Sequence, residues 1–323
     1  MRRYITRRLL LIIVNLLVVS MLVFAGMRLL KGDLALLILA RGGLTSAAQK
    51  AADPEELAAL RSELGLDKPV PIQYANWLRL VLTGELGESA YTKKPVTTEL
   101  ARTLPVTIQL AVMATLLAWL MGLPIGFFSA IKQDTWPDTI ARLVSIAGLA
   151  IPGFWLGALL ITVPAFLWGW TPLKPYVRFT EDPQANLQRM FWPAHILAVG
   201  MAAWLMRMTR AAAVEVMQGD YIRTARAKGL SEKWVVTGHA LKNSLIPALC
   251  MGGIQFGSLL AGAVIIEELF ALPGLGRLLV QSIFYRDYAV VQAVVLYFAF
   301  GVAAVNLIVD LAYAWIDPRI RYH

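Results

Sequence analysis

The sequence predicts an all-α, polytopic membrane protein with six transmembrane helices. Hydrophobic residues make up 58% of the 323 residues and charged residues only 16%, a balance far from that of soluble domains. The apolar residues are concentrated in runs without acidic or basic side chains. Each run is near or above the roughly 20 residues that a helix needs to cross the hydrocarbon core of a bilayer. The runs cover residues 9–27, 103–131, 143–173, 190–206, 244–266 and 288–309.

The first run follows a basic tip, a combination that signal peptides also show. The apolar part of a signal peptide is about 7 to 15 residues long and ends at a small-residue cleavage site. The run at 9–27 is longer, and Phe24-Ala-Gly-Met-Arg is a poor cleavage site. A retained first span is therefore favoured.

Residues 31–102 form the only long hydrophilic interval. Asp53 and Gly65 are placed to begin and end a short helix, and a second helix is predicted from about Pro71. The interval is either a cap that packs on the membrane domain or a docking surface for an external partner. The chain thus divides into 1–30, a tip with the first span; 31–102, an extracytoplasmic helical segment; 103–316, five further helices; and 317–323, a tail.

The later spans contain several helix-breaking residues. Pro124, Pro152 and Pro164 are predicted to interrupt spans two and three, which membrane helices tolerate where neighbouring helices satisfy the backbone. The fourth run is short, so its helix is expected to extend past Arg207 to about Ala213.

Basic residues in short loops set the orientation of a membrane protein, because they stay on the cytoplasmic side. The N-terminal tip, the loop with Lys132, the polar interval after the fourth span and the C-terminal tail carry most of them. Both termini and residues 220–247 are therefore predicted to be cytoplasmic.

Residues 220–247 are the strongly basic interval in the second half of the chain. A helix is predicted over 214–228, with Met217, Tyr221 and Ala225 on one stripe and two arginines on another. Gly229 stands where a helix ends in the left-handed conformation.

A second helix is predicted after this turn. Ser231 is placed to cap it, and Glu232 lies in its first turn, where the helix dipole favours an acidic residue. The interval is thus a helix, a glycine turn and a helix between two spans.

Several functions lack the motifs that they need. The sequence has no phosphate-binding GxxxxGK[ST] loop, no HExxH, GxSxG or CxxC, and Cys250 is its only cysteine, so we expect no enzyme, no metal site and no cofactor in this chain. An ion-coupled carrier would place charges near the middle of its spans, where this chain has none. A DNA-binding helix-turn-helix at 220–243 is also disfavoured, because both of its flanks would be buried in spans and would leave little room for a helix to enter a DNA groove. Energy for transport must then come from a partner.

The basic interval and several other blocks resemble one family. DYIRTARAKG followed by HALKNSLIP is similar to the cytoplasmic "EAA" loop of ABC importer permeases, and more narrowly to the dipeptide/oligopeptide/nickel branch. Further blocks follow in the order of that family: RRYITRRLL, ELGLDKPVPIQYANWL, LTGELGES, PGFWLG, EELFALPGLGRLL, RDYAVVQA and NLIVDLAYAWIDPRI. The chain departs from the general loop pattern at Lys242, where proline is usual, and from the family's outer-side pattern at Lys31–Leu34.

The resemblance implies a type I ABC importer transmembrane domain in the bacterial cytoplasmic (inner) membrane. A second permease subunit would complete the path, two cytoplasmic ATPase subunits would bind ATP and Mg, and an extracytoplasmic binding protein would deliver cargo. Its other partner is membrane lipid, and nucleic acid is not expected. Peptides are the implied cargo, with nickel or another small solute as the alternative. The alternative of another class is an ion-coupled secondary carrier.

The resemblance also implies which residues act. Those of the coupling loop, within 214–243, are Asp220, Tyr221, Arg223, Thr224, Ala225, Arg226, Lys228, Gly229, His239 and Asn243. The alternative for the basic residues is contact with lipid headgroups. Tyr221 and Ala225 either pack the loop on its own spans or, because a small residue leaves room, permit close approach by a partner. Apart from the resemblance, Glu267 and Glu268 lie at the outer end of the fifth span, where they either line an outer gate or attract a cationic substrate, or else lie at a solvated interface.

Overall fold

A computed structural model describes residues 2–29, 54–63 and 66–316. These residues form helices and loops without a β-strand, which confirms the predicted all-α class. The predicted end residues Asp53 and Gly65 lie outside the described residues, as do the tail at 317–323 and most of the hydrophilic interval before residue 54. The chain divides into two compact units, Met1–Arg102 with Leu278–Phe300, and Thr103–Arg277 with Gly301–His323.

The first unit begins with three helices: α1 (Arg2–Leu29), α2 (Pro54–Glu63) and α3 (Val70–Thr83). α3 begins where it was predicted, and Gly84 ends it in the left-handed conformation with φ +84°. The ring of Phe24 on α1 lies 5.4 Å from Tyr74 and 5.6 Å from Trp77 of α3, between ring centroids. The second helix of the hydrophilic interval therefore packs on the first predicted span.

The helices that follow are α4 (Val96–Ile131), α5 (Trp136–Ala150), α6 (Gly153–Trp168), α7 (Pro183–Met217), α8 (Asp220–Ala227), α9 (Glu232–Trp234), a π-helical segment (Val235–Ala240), α10 (Leu241–Leu269), α11 (Leu275–Phe284) and α12 (Tyr288–Ile316). Among the described residues, α1, α4, α7 and α12 are long and apolar enough to cross a membrane, and α5 with α6 would be a fifth span. By this criterion the described part does not reach six spans. α10 covers the predicted run at 244–266.

The predicted third span, residues 143–173, is not one helix. α5 and α6 meet at an angle of 93°, because Pro152 cannot donate a backbone hydrogen bond and forces the residue before it out of the helical region. Ile151 has φ −86° and ψ 121°, an extended conformation. Pro124 and Pro164 lie inside continuous helices, so the prediction that they interrupt their spans was wrong.

The core of the second unit lies where α7 packs against α4, α5 and α10. Val106, Leu110, Met190, Ile266 and Phe270 are among its buried side chains. Small residues allow close approach of membrane helices. A Cβ atom at Gly122 would lie 2.7 Å from the Cβ of Leu205, and one at Gly126 would lie 2.5 Å from the carbonyl oxygen of Met206. Glycine is therefore required where α4 crosses α7.

Candidate functional site: the basic segment after α7

The basic segment begins with a change of direction. The sequence predicted one helix over 214–228, but α7 ends at Met217 and α8 begins at Asp220. The last turn of α7 tightens, since Gly219 N–H donates to the carbonyl of Val216 (3.0 Å). Gly219 is then extended, with φ −64° and ψ 146°. The prediction was wrong here because a backbone break of two residues leaves no mark in the hydrophobic pattern.

α8 ends at the predicted glycine turn. Gly229 has φ +81°, its N–H donates to the carbonyl of Arg226 (2.9 Å), and Leu230 N–H donates to that of Ala225 (3.4 Å). These two bonds form the Schellman motif, in which glycine takes the left-handed position. The prediction for Gly229 is therefore confirmed by the backbone.

One face of α8 packs against other helices of the second unit. Ile222 is fully buried and Ala225 is 7% exposed. Both pack in a cluster with Phe127 and Ala130 of α4 and with Ala213 of α7, together with residues of the π-helical segment. Of the two interpretations left open for Ala225, packing on its own chain is the one observed.

The opposite face of the segment is exposed. Asp220, Tyr221, Arg223, Thr224, Arg226, Lys228, His239 and Asn243 are all exposed side chains. Tyr221 is 46% exposed, Leu230 43% and Trp234 68%. Exposed large apolar side chains within a short basic segment are typical of sites that bind another protein. We call Tyr221, Leu230 and Trp234 with the arginines of α8 the docking face.

An ion pair holds the two sides of the glycine turn together. Arg226 Nη2 donates to Glu232 Oε1 (2.7 Å), and its Nε donates to Oε2 (3.1 Å). These hydrogen bonds lower the pKa of the Glu232 carboxyl below its usual value and raise the pKa of Arg226. Glu232 lies in the first turn of α9, as predicted, whereas the Ser231 side chain makes no capping hydrogen bond.

The connection from α9 to α10 is a π-helical segment of six residues. Such segments are rare and are often found at functional sites. Val235 and Ala240 are buried in it, and Gly238 and His239 are exposed. The segment ends at Ala240 and α10 begins at Leu241, with no loop between them. The docking face is thus connected along the chain to α7 on one side and to α10 on the other.

A buried carboxylate beside this segment was missed by the sequence reasoning. Asp138, at the start of α5, is fully buried. It accepts hydrogen bonds from Arg210 Nε (2.7 Å) and Nη2 (2.8 Å) on α7 and from Ser129 Oγ (2.5 Å) on α4. This cluster joins three helices close to the anchors of α8. Its signal in the sequence is an acidic residue at the edge of an apolar run, which does not reveal its partner.

The two acidic residues proposed for an outer gate have different environments. Glu267 is fully buried and accepts from Thr107 Oγ1 (2.6 Å) and from the backbone N–H of Gly276 (2.7 Å) and Arg277 (3.3 Å). It therefore caps the start of α11, and the interpretation of Glu267 as a solvated interface residue was wrong. Glu268 is exposed, 3.7 Å from Arg277.

The glycines after Glu267 make room for it. A Cβ atom at Gly274 would clash with the Glu267 carboxylate, and one at Gly276 would clash with the backbone of Val264. The PGLG block is thus the part of the chain that lets a carboxylate reach the N-terminus of α11.

Comparisons with known proteins agree over the whole length. The family described as "Binding-protein-dependent transport system inner membrane component" matches residues 122–322, and its N-terminal counterpart, "Binding-prot-dependent transport system membrane comp, N-term", matches residues 1–111.

Two relatives and one solved structure show the extent of the similarity. A putative peptide transport system permease protein of Brucella abortus (strain 2308) is 42% identical over 306 residues, covering 95% of both chains. A glutathione transport system permease protein of Pectobacterium atrosepticum is 42% identical over 322 residues, covering 100% of both. The structure of an amino acid ABC transporter with histidines matches with a TM-score of 0.55 at 15% identity, over 68% of this chain and 94% of the other, and shows a shared fold.

Proposed function

Because the chain belongs to the family of binding-protein-dependent transport system inner membrane components, we propose that it is a permease subunit of an ATP-driven importer of di- and oligopeptides. In this proposal a second, similar permease completes the path. Two cytoplasmic ATPase subunits hold ATP and Mg, and an extracytoplasmic binding protein delivers the peptide. Both termini of this chain lie in the cytoplasm.

The names of the relatives support peptides as cargo. One relative is named for peptide transport and another for glutathione transport; glutathione is itself a tripeptide. Nickel or another small solute is the alternative, and it is distinguished by the cargo that the binding protein accepts.

The single observation that supports binding to an ATPase subunit is the exposed docking face. Trp234 is large and apolar and is 68% exposed. Contact of its ring with water is unfavourable, so covering the ring with a partner would lower the free energy. Arg223 and Asp220 of the same segment are 75% and 97% exposed, which suits the polar residues that surround an interface centre. We assign this face to a groove of the ATPase.

Movement would then pass from the ATPase to the spans through packed contacts. Ile222 and Ala225 connect α8 to α4 and α7, and the Asp138–Arg210 pair connects α5 to α7. When the ATPases close on ATP, a push on α8 moves these helix ends as one body. Rigid-body movement of packed elements is an established way to switch a path between two sides.

The test is co-purification and ATPase stimulation in Tyr221→Ala and Trp234→Ala variants, singly and together. We expect the double variant to lose the co-purified ATPase and peptide-dependent uptake, since exposed aromatic anchors commonly contribute about 2 kcal/mol or more to an interface. Trp168→Ala is the matched control, because Trp168 is 73% exposed at the far end of α6.

Two results would contradict the proposal. Normal ATPase recovery in the double variant would remove the docking face from the interface. Uptake in liposomes by this chain alone, without ATP, would identify an ion-coupled carrier.

A further inference from the structure

An open pocket of about 610 Å³ lies between α5 and α7 in the second unit. Its lining combines three arginines with an indole and includes Arg142, Ser145, Trp204, Arg207, Met208 and Arg210. The proposed transport function uses none of these residues except Arg210, which pairs with Asp138. The pocket therefore needs an explanation of its own.

The charges in the pocket do not balance. Asp138 is the carboxylate in contact with these arginines; it binds Arg210 through both oxygens and lies 3.6 Å from Arg142 Nε. Arg142 is 46% exposed, and Arg207 has no carboxylate partner in the part of the chain that the structure describes. Asp134 also acts electrostatically on Arg210, but the three arginines still outnumber these carboxylates, so positive charge remains for an anion. A guanidinium is well suited to phosphate because its N–H groups match the phosphate oxygens.

The position of the pocket along α7 favours a membrane source for the anion. α7 has 35 residues, about 52 Å at 1.5 Å per residue, so it exceeds the roughly 30 Å of hydrocarbon. Arg207 lies ten residues before the end of α7 at Met217, which is about 15 Å. Arg207 is the first charged residue after the apolar run 190–206, on the side where the basic segment follows α7, which favours a position at the boundary with the headgroups.

The surface around the pocket is apolar. Leu143, Val144 and Ile146 of α5 are 59%, 52% and 57% exposed, and they lie on the same helix as Arg142. A ligand that offers a phosphate to the arginines and an acyl chain to these side chains would satisfy both parts of the surface. Trp204 is suited to the boundary between them, because its ring is apolar and its N–H is polar.

We propose that the pocket between α5 and α7 binds the phosphate of an anionic phospholipid, with Arg142 and Arg207 on the headgroup and the exposed face of α5 along an acyl chain. Basic pockets between membrane helices on the cytoplasmic side are known to bind anionic headgroups. The proposal depends on the membrane location of the chain and not on its cargo. A lipid here would also lie beside the Asp138–Arg210 pair.

The experiment measures lipid binding to the complete chain, purified in a neutral detergent with the subunits that accompany it. Phosphatidylglycerol and phosphatidylcholine are added in turn, and bound lipid and Tm are recorded. We expect phosphatidylglycerol to bind in preference and to raise Tm. Arg207→Gln should weaken its binding about fivefold, because each basic residue near the surface contributes about 1 kcal/mol.

Variants distinguish binding in this pocket from a general attraction between basic residues and anionic lipid. Lys132→Gln removes one exposed charge at the same end of the molecule and should leave binding unchanged. Arg207→Lys should retain more of the binding than Arg207→Gln. If a variant of Arg207 is not stable, Arg142→Gln tests the same headgroup.

Three outcomes would overturn the proposal: equal binding of phosphatidylglycerol to Arg207→Gln and the parent chain, equal binding of the two lipids, or full displacement of phosphatidylglycerol by millimolar inorganic phosphate, which would mean a site for a free anion. None of these readouts involves ATP or peptide, so the result is independent of the transport assay.

Discussion

Asp138 and Arg210 form a bidentate ion pair, with Nε and Nη2 of the arginine 2.7 and 2.8 Å from the two carboxylate oxygens. Asp138 is fully buried and the Arg210 side chain is 23% exposed. Removing one member of a buried pair leaves an uncompensated charge, which is more costly than removing both. The pair therefore controls how firmly α5 is joined to α7.

We expect Asp138→Asn to destabilise the protein by about 3 kcal/mol, on the order of 10 °C in Tm. Thermal unfolding in detergent measures this. The double variant Asp138→Asn with Arg210→Gln should cost less than the two single changes added together. The control is Glu181→Gln, whose exposed partner Arg178 lies 4.0 Å away and whose loss should cost under about 1 kcal/mol. Equal effects at Asp138 and Glu181 would contradict the role of burial.

Glu267→Ala should destabilise the start of α11 by about 1–3 kcal/mol, because it removes the carboxylate oxygen that accepts hydrogen bonds from the Gly276 and Arg277 amides. Gly274→Ala should have at least as large an effect, since its Cβ would meet the Glu267 carboxylate. Hydrogen exchange of the Gly276 and Arg277 amides reports the loss directly. Glu268→Ala is the neighbouring control, and protection unchanged in Glu267→Ala would refute the cap.

Gly229→Val should loosen the turn after α8 by about 1–2 kcal/mol, because a β-branched residue resists a positive φ. A Cβ atom at this position has no neighbour within 4 Å, so the cost comes from the backbone alone. Gly229→Asn should cost less, since asparagine enters this conformation more readily. Faster exchange of the Leu230 amide, which bonds to Ala225, would show the effect.

Gly238→Ala is the matched control for the turn, because Gly238 lies in the π-helical segment with no neighbour closer than 3.9 Å. The account of the turn fails if Gly229→Val and Gly238→Ala have the same effect on exchange of the Leu230 amide.

The Arg226–Glu232 ion pair predicts that the stability of the turn after α8 depends on pH. The pKa of Glu232 is lowered in the folded chain, so the ion pair stabilises the turn above the ordinary carboxyl pKa of about 4.3, and this contribution is lost as the pH falls below it. Arg226→Gln should raise the pKa of Glu232, as measured by NMR titration of labelled carboxyl groups. Its effect on amide protection near Gly229 should be present at pH 7 and lost in acid, once the pH has fallen through the lowered pKa of Glu232.

Arg223→Gln is the control for this titration, because Arg223 contacts Asp220 and not Glu232. A pKa of Glu232 that stays the same in Arg226→Gln would mean that the ion pair does not form in solution.

Local sequence patterns predicted the backbone conformation correctly where that conformation depends on the local chain alone. Gly229 was predicted from its place after a helical stripe, and it has the expected positive φ. Pro152 shows the opposite case. Pro124, Pro152 and Pro164 have the same chemistry, but of these only Pro152 separates two helices. The neighbouring helices decide whether the freed backbone groups are satisfied.

The amino-acid sequence by itself determined that the chain is helical and lies in a membrane, because backbone groups in hydrocarbon must be hydrogen-bonded within each apolar run. It also placed the basic segment between two spans. Only the tertiary structure decided which carboxylates are buried and what they bind: Asp138 meets Arg210 across 72 residues of chain, and Glu267 meets Thr107 across 160. Such pairs depend on how helices pack, and packing joins residues that no local pattern connects.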